Sequence, residues 1–94
     1  MHSMFDEYPE ARQRYEEARP IYHEIGDRLG EANACIGLAN LAEAEGDLDE
    51  AITYLQPALD FARHKKHPQA EELEARIKAW QRQLAKNRRK SRLA

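Results

Sequence analysis

Apolar side chains recur along most of this chain at alternating spacings of three and four residues, which is the pattern of amphipathic α-helices. The first such stripe consists of Tyr8, Ala11, Tyr15, Ala18, Tyr22 and Ile25. A second stripe follows Gly26 and predicts a packed face made of Leu29, Ala32, Cys35 or Ile36, Ala39 and Ala42. A third stripe follows Gly46, and the last part of the chain carries a narrower stripe around Trp80. The pattern predicts four helices, at about residues 6–25, 29–45, 48–65 and 68–90, and a frayed basic tail at residues 91–94.

Two Gly-Asp pairs mark boundaries between these helices. Gly26 and Gly46 are suited to end a helix in the left-handed conformation, and the aspartate after each is suited to cap the next helix. Glu50 stands three residues after Asp47, which predicts a capping box at the start of the third helix. The composition agrees with a single all-α domain, because valine is absent and good helix formers dominate.

The chain also matches itself at a spacing of 40 residues. Glu10-Ala11 recurs as Glu50-Ala51, Ala18 as Ala58, and Glu31 as Glu71. A fixed period of this size indicates stacked helical repeats. Such repeats bind partners through surfaces built from several units, so we expect a non-catalytic interaction protein.

The second and third segments resemble a tetratricopeptide repeat of a variant with a 40-residue period. The supporting residues are Leu38-Ala39 in the first helix, Gly46-Asp47-Leu48 in the turn, and Ala51, Leu55 and Ala58 in the second helix. In that family the small residues mark the close crossing of two helices. The resemblance implies antiparallel helical hairpins that stack as an α-solenoid.

The resemblance also implies a concave groove lined by the first helices of successive repeats. By position, the groove residues are Asn33, Ile36, Asn40 and Glu43. The two asparagines lie seven residues apart and therefore share a helical face. Carboxamides both donate and accept hydrogen bonds, which suits the extended backbone of a protein or peptide partner. Solvated asparagines on a wet helix are the alternative interpretation.

The first helix resembles the second helix of a repeat whose first helix is missing. Leaving its apolar stripe in water would forfeit several kcal/mol, at ~25 cal/mol per Å² of buried area. We therefore expect the fourth helix or another chain to cover it, in a homo-oligomer such as a dimer with exchanged helices, or in a longer repeat array. The predicted self-association face consists of Tyr8, Tyr15, Tyr22 and Ile25.

Charge is unevenly distributed along the chain. Residues 1–47 carry a net charge of −7, whereas residues 48–94 carry +5. The basic end suggests a second function, a regulatory fragment that contacts nucleic-acid phosphates through Arg88, Arg89 and Lys90. Because no aromatic residues are interleaved with these bases, a protein partner is favoured over nucleic acid.

No residue pattern predicts catalysis, a metal site or a cofactor. The sequence contains no phosphate-binding glycine loop, and its single cysteine, Cys35, excludes an internal disulfide. No stretch approaches the length of a membrane span. We expect the protein to work in the reducing cytoplasm.

Overall fold

Four α-helices make up the part of the chain described by the structure, a computed structural model that covers the backbone of residues 4–93 and the side chains of residues 8–89. They are α1 (Met4–Glu24), α2 (Arg28–Ala44), α3 (Leu48–His64) and α4 (Gln69–Leu93). The all-α class and the number of helices are confirmed. The last helix continues three residues past its expected end, into the predicted tail, and Ala94 lies outside the described residues.

The three turns between the helices share one geometry and lie 20 residues apart. Gly26, Gly46 and Lys66 adopt left-handed backbone conformations, with φ values of 76°, 83° and 53°. The amide of the next residue in each turn donates to the carbonyl five residues back, at 2.8 to 2.9 Å. This pattern satisfies carbonyls that a helix end leaves free, and it returns the chain antiparallel each time.

Aspartate side chains cap two of the helices, as the sequence predicted. An Oδ1 of Asp27 accepts from the Gly30 amide at 2.9 Å, and that of Asp47 accepts from the Glu50 amide at 3.0 Å. The predicted capping box is wrong in one respect. The Glu50 carboxylate accepts a hydrogen bond from Arg12 of α1 at 2.6 Å, so it links two helices instead of closing its own first turn.

The core lies between α2, α3 and α4, which contribute every fully buried hydrophobic side chain among the described residues. Leu55 and Leu73 are the largest fully buried side chains of this core, whereas Leu38 of α2 is fully buried outside it. Alanines of the core such as Ala39 and Ala58 let the helices approach closely. Each helix packs on its neighbours in sequence, as in a solenoid.

The apolar stripe of α1 is covered in part by α2. The ring of Tyr15 lies against Gly37 of α2, and the ring of Tyr22 lies against Gly30, where an added Cβ would overlap the ring in each case. The fourth helix packs on α3 and makes no backbone approach to α1 within the described residues, so the expectation that α4 covers the stripe is wrong. Tyr15 is still 37% exposed and Ile25 68% exposed, and cover by another chain stays a prediction.

Candidate protein-binding surface

One face of the molecule combines exposed residues of α2 with the side of α4 that turns toward them. We call it the α2–α4 surface and define it by Leu29, Asn33, Ile36, Asn40 and Glu43 of α2 and Arg76 of α4. The five α2 residues follow each other at spacings of four, three, four and three. They therefore form one stripe along the helix.

A polar network joins the two helices at one end of this surface. The Arg76 guanidinium donates to Asn40 Oδ1 at 2.6 Å and lies 3.8 Å from a carboxylate oxygen of Glu43. The other oxygen of Glu43 accepts from Trp80 Nε1 at 2.7 Å, and the guanidinium stacks over the indole at 4.9 Å. Because the oxygen of Asn40 is already engaged, its amide nitrogen is the group left to face a ligand.

The other end of the surface is open. Asn33 is exposed and makes no side-chain hydrogen bond within the described residues. Leu29, which the sequence placed on the packed face of its helix, is 61% exposed. Ile36, predicted to line the groove, is instead half-buried and packs against the core. The open end therefore offers one free carboxamide beside one exposed aliphatic side chain.

The first three helices match a known protein family. A sequence profile described as tetratricopeptide repeat matches residues 2–64. The chain belongs to the tetratricopeptide repeat family. Tetratricopeptide repeats are protein-interaction modules and are generally not catalytic. No curated protein and no solved structure matched the chain.

The matched region spans α1, α2 and α3, and within it α2 and α3 form a helical hairpin. α4 lies beyond the matched region and packs on α3. Its register differs from a strict copy at a spacing of 40 residues, because Lys78 and Arg82 are exposed where α2 has the buried Leu38 and Ala42. The buried residues of α4 are Leu73, Ile77 and Trp80.

A cleft of about 490 Å³ lies between the end of α1, the start of α2 and the end of α3. Its lining includes Ala32, Cys35 and Phe61 and charged or titratable groups such as His23 and Glu31, whose nearest nitrogen and oxygen lie 3.3 Å apart. Burial raises the pKa of the Cys35 thiol, which therefore stays protonated and unreactive. The cleft assembles no nucleophile with a base.

Metal and membrane sites receive no support from the structure. Within the described residues, no group of three or more His, Cys, Asp or Glu side chains is placed to hold a metal ion. None of the four helices in that part of the chain has an apolar stretch long enough to cross a bilayer.

The structure describes part of the basic end and the predicted self-association face. Arg88 and Arg89 are exposed near the end of α4, whereas the side chain of Lys90 lies outside the described residues. Of the predicted self-association face, Ile25 is 68% exposed, and Tyr8 is half-buried. Contact with phosphates and self-association both stay predictions.

Proposed function

We propose that this tetratricopeptide repeat protein is a non-catalytic module that binds an extended segment of a partner protein along its α2–α4 surface. The observation that carries the proposal is the pair Asn33 and Asn40, which share one exposed face of α2. Asn33 has its whole carboxamide available, and Asn40 has its amide nitrogen available. Together they present two NH₂ groups as donors and one carbonyl oxygen as acceptor to a ligand.

The spacing of the two asparagines suits an extended backbone. Seven residues of α-helix rise about 10.5 Å. Three residues of an extended polyproline II chain span about 9 Å, and because that chain has three residues per turn, backbone groups three residues apart point to the same side. A peptide lying along α2 would therefore present backbone groups to both carboxamides with two residues between them.

The surface also provides an apolar contact and a fixed frame. Leu29 is the exposed aliphatic side chain next to Asn33 along the stripe, so an apolar residue of the peptide would bury its surface there. The network of Arg76, Glu43 and Trp80 holds Asn40 in place before the ligand arrives. Such preorganisation reduces the entropy lost on binding.

A selection with unstructured peptides tests this function. A phage-displayed library of random linear peptides would be selected on the intact protein, and the recovered peptides would be titrated against variants. Asn33→Ala is expected to raise Kd several-fold, because one net hydrogen bond contributes about 0.5–1.5 kcal/mol. Asn87→Ala is the matched control, since Asn87 is exposed on α4 and bonds only Gln83 of its own helix within the described residues.

Chemical shifts of backbone amides would locate the bound peptide. Changes concentrated on α2 and α4 support the proposal. Failure to recover any binding peptide, or equal affinity of Asn33→Ala and the parent protein, would overturn it. A cytoplasmic location stays a prediction that rests on the single, buried and unpaired cysteine.

A further inference from the structure

We propose that copies of this chain associate head to tail, with α1 of one copy packing antiparallel on the outer face of α4 of the next. The surface involved is separate from the α2–α4 surface, so the inference goes beyond the proposed function. It rests on three observations: an uncovered apolar edge on α1, an uncovered strip of small residues on α4, and opposite charge on the two helices.

The uncovered edge of α1 lies on the side away from α3. Ile21 is 58% exposed and Ile25 is 68% exposed. Ala18 precedes them on the same side of the helix and is half-buried. Arg12 and Arg19 mark the opposite side, because both reach residues of α3. Isolated exposed isoleucines are common, but two that are adjacent on one helical edge form a patch.

The outer face of α4 carries the matching strip. Ala75 and Ala79 are exposed there. They stand 40 residues after Cys35 and Ala39, which are buried in the core that α2 shares with α3. Helical spacing places the two alanines on the side of α4 opposite the buried Leu73 and Ile77, so a helix packed on that side would lie over them. In a second copy, α1 is the helix that carries the alanines equivalent to Ala51 and Ala58 of α3, at positions 11 and 18.

Charge favours this pairing over the pairing of two identical faces. The first helix holds six acidic and three basic residues, whereas α4 holds three acidic and eight basic residues. Arg82 and Lys86 continue the strip of Ala75 and Ala79 at helical spacing, and neither forms an ion pair within the described residues. Two copies of α1, or two copies of α4, would place like charges together.

The antiparallel arrangement brings the complementary charges to the same end of the interface. In the hairpin of α2 and α3, the end of one helix lies beside the start of the other. By the same relation, Arg82 and Lys86 would lie beside the first half of the partner copy's α1, where Glu10 is exposed. Such a contact joins two different faces, so it permits chains longer than two copies and lengthens the α2–α4 surface.

Sedimentation and light scattering of single-face variants test the proposal. Ile21→Glu damages the α1 face, and Ala79→Glu damages the α4 face. Both positions are exposed, so each variant should fold, which circular dichroism would verify. Ala85→Glu is the matched control, because Ala85 is exposed on the same helix about 120° around from Ala79.

The wild type and Ala85→Glu are expected to form dimers and larger species that weaken as salt rises. Each face variant alone should have a Kd at least ten times higher. A mixture of the two face variants should recover a dimer, because each retains the face that the other lacks. A monomeric wild type at the highest soluble concentration, or unimpaired association of Ala79→Glu, would overturn the proposal. Peptide binding at Asn33 is measured separately, so failure of either proposal is recognised independently.

Discussion

At the scale of single residues, Gly30 and Gly37 of α2 leave room for two tyrosine rings of α1 that any side chain would displace. The rings of Tyr15 and Tyr22 lie where a Cβ of Gly37 or Gly30 would be. A helix-interior glycine costs up to ~1 kcal/mol relative to alanine. The loss of helix stability is offset because the tyrosine rings let α1 pack closely against α2.

A double-mutant cycle between Gly37 and Tyr15 tests this explanation. In a Tyr15→Ala background, Gly37→Ala should stabilise the protein by up to ~1 kcal/mol through better helix propensity. In the wild type the same change should instead destabilise by about 1–3 kcal/mol, because the tyrosine ring is displaced. Urea denaturation would measure all four proteins. An equal effect of Gly37→Ala in both backgrounds would contradict the proposed contact.

At the scale of helices, one arginine of α1 bridges both of the helices that follow it. Arg12 donates to Glu45 at 2.9 Å and to Glu50 at 2.6 Å, so it joins α1 to the end of α2 and the start of α3. The hydrogen bond to Glu45, followed by that to Glu50, raises the pKa of the guanidinium against the opposing effect of its burial. The side chain therefore stays charged at every relevant pH.

Removing this bridge should lower the free energy of unfolding by more than removing an ordinary surface ion pair. Arg12→Ala is expected to lower the free energy of unfolding by about 1 kcal/mol, because the half-buried Arg12 side chain bonds two carboxylates at once. Arg14→Ala is the control, since within the described residues Arg14 forms only an exposed pair with Glu10 at 3.3 Å. It should change stability by less than about 0.5 kcal/mol. Equal urea midpoints for the two variants would show that the bridge contributes nothing.

The third and fourth helices are joined by a smaller set of charges. Glu74 of α4 lies 3.2 Å from Arg63 of α3 and 3.2 Å from Lys78 of its own helix. The hydrogen bonds from Lys78 and Arg63 lower the pKa of the Glu74 carboxyl group. A lowered pKa means that this small stabilising contribution is present near neutral pH and is lost as the pH falls through the folded-state pKa.

At the scale of the whole molecule, stability is distributed unevenly along the solenoid. The fully buried hydrophobic residues lie on α2, α3 and the first half of α4, and none of the described residues of α1 is among them. A repeat protein gains its stability from contacts between neighbouring helices, so an end helix with one neighbour opens most easily.

Hydrogen exchange should follow this distribution. Backbone amides in the middle of α2 and α3 are expected to exchange only on global unfolding, whereas those of α1 should exchange faster through local opening. The experiment should be done at low protein concentration and high salt, because association would protect α1. Exchange of α1 as slow as that of α3 under these conditions would contradict the prediction.

The sequence alone determined the helices, their class and their turns, because these depend on local properties. Helical spacing of apolar residues, glycine in the left-handed conformation and aspartate as a cap act over a few residues. Gly26 therefore predicted the end of α1, and Asp47 predicted the start of α3. Asn33 and Asn40 were likewise placed on one face by spacing alone.

Only the tertiary structure decided which faces meet, because contacts depend on the rotation of each helix about its axis. Leu29 fits the helical stripe but is exposed, and Glu50 fits a capping box but binds Arg12. The sequence did not predict that Tyr15 and Tyr22 of α1 would lie over the glycines of α2. A residue's spacing fixes its helical face, whereas the neighbour that covers this face is set by packing across the whole chain.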